Sequence, residues 1–151
     1  MFAIRPDDPT APHVAGLLAF HLADMRGANP EFAFALDASG LSVPNVSFWT
    51  AWNGVELAGF AALKQLDLHH GEVKSMRAAP AARRKGVGRA LLQHLIAVAK
   101  ARGYARLSLE TGTEPRFLPA ISLYQSACFV PCEAFSDYQP SPHNRFFALK
   151  L

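Results

Sequence analysis

The feature that most constrains the fold is a basic, glycine-containing loop that runs directly into a long amphipathic helix. The helix is predicted over Gly86–Arg102, because apolar residues recur there every three or four positions. One stripe of this helix consists of Val87, Leu91, Leu95 and Val98. Gly103 is placed to end the helix as its C-cap. Since an apolar stripe must be buried, the helix is expected to pack against a sheet or another helix.

Strand patterns dominate the rest of the chain. The predicted strands are Phe2–Arg5, Val46–Trp52, Leu57–Leu66, Glu72–Arg77, Ala105–Thr111, Phe129–Pro131 and Arg145–Leu151. Two further helices are predicted over His13–Met25, with Thr10 as its N-cap, and over Leu118–Ala127. Strands that alternate with helices in this order predict a mixed α/β fold with a central sheet.

Turns and loops are predicted between these elements. Asn53-Gly54 is a strong hairpin signal, and His70-Gly71 predicts a second turn. Gly27–Pro44 is a looser stretch with room for a short helix around Phe32–Leu36. The three strands from Val46 onward are therefore expected to run antiparallel.

Length and composition indicate one domain over residues 1–151. Half of the 151 residues are hydrophobic, which is enough for a core without a disulfide or metal. The chain starts without the basic and apolar segments of a signal peptide, and no apolar run approaches the ~18 residues of a membrane span. Cys128 and Cys132 are expected to be reduced core residues of a cytoplasmic protein.

The loop before the long helix has the chemistry of an anion site. The net charge is +3, and basic residues concentrate at Arg83-Arg84-Lys85 and Arg89. The first backbone N–H groups of a helix have no helical partner, and Gly86 and Gly88 remove side chains that would keep a phosphate away from them. Neither the P-loop nor the dinucleotide fingerprint fits the residues that follow Gly88. A capped helix whose glycines serve only close packing remains the alternative.

The pattern Arg/Gln-x-x-Gly-x-Gly/Ala, filled by Arg83, Gly86 and Gly88, resembles the acetyl-CoA pyrophosphate loop of the GNAT superfamily of N-acetyltransferases. A later segment, Leu123-Tyr124-Gln125-Ser126-Ala127-Cys128-Phe129, is similar to the Leu-Tyr-x-x-x-Gly-Phe segment of that family, with Cys128 where glycine is usual. Lys74–Arg77, Leu107–Gly112 and Asp137-Tyr138 are similar to small bacterial acetyltransferases that have been linked to indole-acetate metabolism, a link that fixes no substrate.

The resemblance implies a central, mostly antiparallel sheet flanked by helices, with acetyl-CoA as co-substrate. The main chain of Met76 and Ala78 is then expected to bind the pantetheine arm, and the amides from Arg84 to Arg89 the pyrophosphate. The expected cofactor-binding residues are Met76, Ala78, Arg83, Arg84, Lys85, Gly86, Val87, Gly88 and Arg89. The resemblance also leaves a homodimer open.

Two residues are assigned to the chemistry of transfer. Tyr124 is expected to act as the general acid that protonates the leaving thiolate, with a tyrosine that only packs in the core as the alternative. Glu72 is the candidate base, with a solvated strand end as the alternative. His69 and His70, grouped with His21, form a rival base. Glu110 could approach the acceptor but is interpreted as a partnered strand-end carboxylate.

The acceptor is expected to be the amine of a small molecule or peptide, bound by Gly27–Leu41 and Phe135–Arg145. A non-catalytic acyl-CoA sensor or interaction module on the same fold is the alternative function. No metal is expected, because no ligand motif is present. Nucleic-acid binding is not expected either, because aromatic residues do not interleave with the basic run.

Overall fold

A computed structural model describes residues 1–27 and 34–151 of the chain. The strands are β1 Ala3–Pro6, β2 Val46–Asn53, β3 Glu56–Asp67, β4 His70–Ala78, β5 Arg106–Gly112, β6 Val130–Pro131 and β7 Asn144–Lys150. The helices are α1 Pro12–Arg26, α2 Ala38–Leu41, α3 Val87–Ala101 and α4 Leu118–Ser126. Within the described residues, no helix combines the length and apolarity that crossing a membrane requires.

The seven strands form one sheet in the order β1-β2-β3-β4-β5-β7-β6. Only β4 and β5 are parallel neighbours, and every other pair is antiparallel. The mixed α/β fold with a mostly antiparallel central sheet is therefore confirmed.

Helices cover both faces of the sheet. On one face, α3 and α4 bury Leu91, Leu95 and Ile121 against the sheet. On the other, α1 and α2 bury residues such as Leu18 and Leu41 against Phe60 of β3. Side chains on a strand alternate between faces, so β3 serves both cores and is apolar throughout its centre.

The parallel pair β4–β5 is short. Its register runs from His70 opposite Arg106 to Glu72 opposite Ser108, and the pairing ends there although both strands continue. Just beyond, the register of β3 against β4 shifts between Ala62 and Leu63, so Lys74 is the extra residue of a bulge. The two central strands therefore diverge and leave an opening in the middle of the sheet.

Several local predictions were wrong. Ala11 rather than Thr10 caps α1, without a side-chain bond, because the Thr10 hydroxyl donates to Asp8 instead. The second turn lies at Leu68-His69, and His70 already belongs to β4. These boundaries depend on hydrogen bonds that the apolar pattern does not encode.

Two further predictions are shifted along the chain. The C-cap of α3 is Arg102, and Gly103 follows it with a φ of +80°. Residues 28–33, which include the start of the predicted short helix, lie outside the described residues. Residues 34–37 have no regular structure, and the short helix begins at Ala38.

Candidate active site

A cleft of about 650 Å³ opens where β4 and β5 diverge. Residues from β4, β5, α1, α4 and the loop before α3 line it. We call the part at the start of α3 the cofactor half. We call the part lined by His21, Asp24, Phe34, Glu72, Lys74, Ser75, Arg77, Glu110, Arg116 and Tyr138 the acceptor half. Every predicted cofactor-binding residue lines the cleft except Lys85, which is exposed beside it.

The cofactor half ends in a cradle of backbone amides. The Lys85 N–H donates to the Ala82 carbonyl at 3.3 Å. The first helical bond of α3 is donated by the Ala90 N–H to the Gly86 carbonyl at 3.0 Å. The amides of Val87 to Arg89 therefore come before the regular bonds of the helix and, with its dipole, form a ready anion site.

The two glycines of the loop have different roles. Gly86 has a φ of +87°, and a Cβ there would meet nothing within 4 Å, so the backbone conformation selects glycine. A Cβ on Gly88 would lie 3.3 Å from Cδ2 of Leu123, so this glycine also allows α4 to approach α3. Close packing, the alternative to a phosphate-binding role, is therefore present at Gly88, and Gly86 is selected by its backbone conformation.

Tyr124 lies on α4 and lines the cleft with 9% of its surface exposed. Burial, with a smaller contribution from the charge of Glu110, raises the pKa of its phenol to about 12 against the opposing charge of Arg77. The ring packs on Phe129, with centroids 5.9 Å apart. At neutral pH the phenol therefore keeps its proton, as a general acid must until it donates that proton.

Glu72 is 2% exposed and lines the acceptor half in a network with two other side chains. The Tyr138 hydroxyl donates to Glu72 Oε2 at 2.5 Å, and Lys74 Nζ lies 3.6 Å from the same oxygen. Lys74 Nζ also donates to the Tyr138 hydroxyl at 2.6 Å. Burial lowers the pKa of Lys74, although the charge of Glu72 opposes that shift. The carboxylate is thus buried, and both partners contact the same oxygen, Oε2.

Glu110 is a second carboxylate in the acceptor half. Burial raises its pKa to about 7, the charge of Lys74 lowers it, and the charge of Glu72 raises it. A carboxyl group whose pKa lies near neutral pH can accept a proton from a substrate, so Glu110, predicted as a partnered strand-end carboxylate that could approach the acceptor, is also a candidate base. Its position where β5 leaves β4 could not be seen from the sequence.

The three histidines grouped as a rival base do not come together. His69 is exposed in the turn before β4, and His70 Nε2 lies 2.7 Å from Ser108 Oγ, so neither lines the cleft. His21 does line the cleft, but burial lowers its pKa to about 4. Its Nδ1 accepts a bond from Arg77 Nε at 2.9 Å, which places the proton of the neutral ring on Nε2. Among the described residues, no group of three or more His, Cys, Asp or Glu side chains could hold a metal ion.

The loops predicted to bind the acceptor reach the cleft at a few residues. Phe34 and Ala35 line it from one side, and Tyr138 from the other. The Phe34 and Tyr138 rings meet edge to face, with centroids 5.3 Å apart. The part of the first loop at residues 28–33 lies outside the described residues.

The sequence analysis did not single out the ion pair between α1 and β4. Arg77 Nη2 donates to Asp24 Oδ2 at 2.7 Å, and Arg116 Nη1 lies 3.4 Å from Asp24 Oδ1. These three residues are separated by up to 92 positions, and no local motif connects them. Only the acidic and basic character of each residue could have suggested a pair.

Cys128 replaces the usual glycine of the segment after Tyr124 and keeps the glycine-like backbone. Its φ is +74°, and its N–H donates to the Gln125 carbonyl at 3.0 Å. The turn therefore survives the substitution at the cost of a strained residue. Cys128 is exposed and Cys132 half-buried, so the placement of both in the core was wrong, although both thiols are free.

Comparison with known proteins agrees with this geometry. The model of the acetyltransferase (GNAT) family matches residues 14–128. The chain is 47% identical to the uncharacterized N-acetyltransferase YedL of Escherichia coli K12, over 100% of this chain and 96% of that protein. It is 48% identical to the uncharacterized N-acetyltransferase YsnE of Bacillus subtilis 168, over 98% of this chain and 99% of that protein.

Comparison with solved structures concerns the fold. A solved Bacillus subtilis acetyltransferase in complex with CoA has a TM-score of 0.75 and 20% identity, over 100% of this chain and 99% of that one. At this identity the likeness concerns the fold alone. Because the family match spans most of the chain and two relatives are nearly half identical over almost their whole length, the chain belongs to the acetyltransferase (GNAT) family and is an acetyl-CoA-dependent acyltransferase.

Proposed function

We propose that the protein transfers the acetyl group of acetyl-CoA directly to the amine of a small molecule or peptide, an N-acetyltransferase reaction. The main support is one cleft that joins an anion-binding amide cradle to a proton donor, a buried carboxylate at Glu72 and a half-buried one at Glu110. Acetyl transfer needs these parts side by side, because donor and acceptor must meet in one orientation. The CoA found in the Bacillus subtilis structure is consistent with this assignment.

The cofactor half binds the diphosphate of acetyl-CoA. The amides of Gly86 to Arg89 hold the phosphate oxygens, and the side chains of Arg83 and Arg84, which line the same end, add positive charge. The backbone of Met76 and Ala78 binds the pantetheine arm, because β4 has left β5 there and its edge faces the cleft. Lys85 lies outside the cleft and contributes only its positive charge to the electrostatic field at the diphosphate.

Tyr124 protonates the departing thiolate. The amine attacks the thioester carbonyl, the C–S bond breaks, and the sulfur takes the phenolic proton. The resulting phenolate regains a proton from solvent. A phenol with a pKa of about 12 does not lose this proton before the reaction.

The proton released by the amine goes to a carboxylate of the acceptor half. Glu72 is one candidate, directly or through water, and its hydrogen bond from Tyr138 orients it. Glu110 is the other, because its pKa of about 7 makes it a stronger base than an ordinary carboxylate. The like charges of the pair raise the proton affinity of Glu110, so the two act together even if one of them takes the proton.

The experiment that tests this function measures release of free CoA thiol from acetyl-CoA across a panel of amines, beside a thermal shift with CoA. Acceptor-dependent thiol release and a CoA-induced rise in melting temperature are expected. A thermal shift without turnover on any amine would favour a non-catalytic acyl-CoA sensor instead. Absence of both effects would contradict the assignment of the cleft.

A further inference from the structure

Two guanidinium groups meet one carboxylate at one place in the acceptor half. Arg77 and Arg116 both approach the single carboxylate of Asp24, at 2.7 and 3.4 Å. Arg116 Nη2 also lies 3.5 Å from Glu114 Oε1, so two carboxylates balance the two guanidinium groups, and the Arg77 guanidinium is the more buried of the two. The Arg77 side chain is only 10% exposed, so water screens its charge little.

Polar hydrogens at the same place lack a partner. Arg77 uses Nε to reach His21 and Nη2 to reach Asp24, and within the described residues Nη1 makes no hydrogen bond. Ser75, two positions earlier on β4, is 3% exposed, and its Oγ has no partner among the residues described. Side chains two apart on a strand share a face, and both residues line the cleft.

A buried hydroxyl without a partner costs about 1–3 kcal/mol, so such a group in a binding cleft indicates a ligand atom that satisfies it. Arg77 Nη1 and Ser75 Oγ both offer hydrogens, and the Arg77 guanidinium is a cation that water screens little. The complementary ligand group is therefore an anion that accepts two hydrogen bonds, and a carboxylate has this geometry.

Carboxylates outnumber ammonium groups at the other place in the acceptor half. Glu72 and Glu110 face the single ammonium group of Lys74, which leaves one negative charge once Glu110 is ionised. Tyr124 lies within the electrostatic reach of both Arg77 and Glu110. The proposed acid is therefore near both places.

We propose that the natural acceptor is a primary amine that also carries a carboxylate, such as a free amino acid. The carboxylate binds Arg77 Nη1 and Ser75 Oγ, and the amine lies toward Glu72 and Glu110. This inference rests on the N-acetyltransferase function proposed above and adds the class of acceptor. An acceptor without a carboxylate leaves the hydrogens of Ser75 Oγ and Arg77 Nη1 unpaired. The enzyme is therefore expected to use such an acceptor less efficiently, as in other sites built to bind a polar group of the ligand.

The test uses matched acceptors that differ only in the carboxylate: phenylalanine and phenethylamine, leucine and isoamylamine, methionine and 3-(methylthio)propylamine. For at least one pair, kcat/KM of the carboxylated acceptor is expected to be on the order of tenfold or more higher. Calorimetric titration of the same pairs into the CoA-bound protein supplies a readout that needs no turnover. The carboxylated member is expected to bind more tightly there too.

Ser75→Ala sharpens the test, because Ser75 Oγ makes no bond within the described residues that the fold would lose. This variant is expected to raise KM and Kd for the carboxylated acceptor about fivefold or more, with those of the matched amine unchanged. Ser47→Ala is the control, since Ser47 binds Arg102 outside the cleft.

The outcomes separate the two proposals. Equal kcat/KM and equal Kd within every pair would overturn the carboxylate site while leaving acetyl transfer intact. Loss of binding by Ser75→Ala that is equal for both members of a pair would also overturn it. If no amine were acetylated, the proposed function would fail, and the calorimetric pairs would still decide whether the carboxylate is recognised.

Discussion

The cofactor half and the acceptor half of the cleft are built in different ways. Backbone amides and glycine conformations within residues 83–89 form the first, so one short segment carries it. Side chains from α1, β4, β5 and the loop before β7 form the second, and its key hydrogen bonds join residues 53 to 66 positions apart. A site made of backbone tolerates many side chains, whereas a site made of distant side chains can change its ligand by single substitutions. The fold thus keeps the donor fixed and leaves the acceptor adjustable.

The largest expected effect is on the chemistry where the two halves meet. Tyr124→Phe is expected to lower kcat by a factor on the order of 10²–10⁴, because the leaving thiolate loses its proton donor. Binding of CoA should persist, since the phenol contributes little to the diphosphate site. Steady-state kinetics beside calorimetry with CoA checks both. An unchanged kcat would remove Tyr124 from the mechanism.

The next prediction distinguishes Glu110 from Glu72 as the general base. With a pKa of about 7 for Glu110, kcat/KM is expected to rise with pH through that value as the base becomes ionised. Glu110→Gln should remove this limb and lower the rate by a factor on the order of 10² or more if Glu110 is the base. Glu72→Gln should have the same two effects if Glu72 is the base. A pH–rate profile that neither variant alters would mean that water takes the proton.

The free energy of unfolding should also depend on pH through the ionisation of Glu110, and the direction of this dependence follows from its pKa. Because burial raises the pKa of Glu110 from 4.5 to about 7, the folded state binds more protons than the unfolded state between these values. The contribution of Glu110 to the free energy of unfolding is therefore full below pH 4.5 and is lost as pH rises through 7. Urea unfolding at several pH values should show a smaller loss in Glu110→Gln. An identical loss in both proteins would contradict the shift.

Substitution of Gly86 should weaken CoA binding more than substitution of Gly88. Gly86→Ala places a side chain at a φ of +87°, which costs about 1–2 kcal/mol, and the loop relieves this strain by leaving the cradle conformation. The affinity for CoA is then expected to fall about tenfold. Gly88→Ala should change it about threefold at most, because the flexible end of Leu123 can move aside. Equal losses of CoA affinity in the two variants would mean that the positive φ of Gly86 does not determine the conformation of the cradle.

The smallest expected effect lies outside both halves. Cys128→Gly relieves a φ of +74° and should raise the free energy of unfolding by about 1 kcal/mol. Kinetic constants should stay unchanged, since Cys128 does not line the cleft. Denaturant unfolding and steady-state assays provide the check. A loss of stability would mean that the thiol makes a contact that outweighs the strain.

The comparison of halves also explains what the sequence could predict. Helical and alternating apolar periods located α3 and most strands, and the glycine loop predicted where the cofactor half would lie because its parts are contiguous. The sequence could not predict the pairing of Arg77 with Asp24 or of Tyr138 with Glu72, because these contacts depend on how α1 and the last loop dock on the sheet. The pKa of Glu110 likewise follows from burial, which no local pattern encodes.

The central claim, that the amides opening α3 hold the diphosphate of coenzyme A, can be tested by titrating the ¹⁵N-labelled protein with CoA and following its backbone amide resonances. The resonances of Gly86, Val87, Gly88 and Arg89 are expected to shift strongly and saturably. Those of Gly54 and Gly103, which lie in turns outside the cleft, should stay in place. Saturable CoA binding that leaves the Gly86–Arg89 amides unmoved, or no binding at all, would contradict the account.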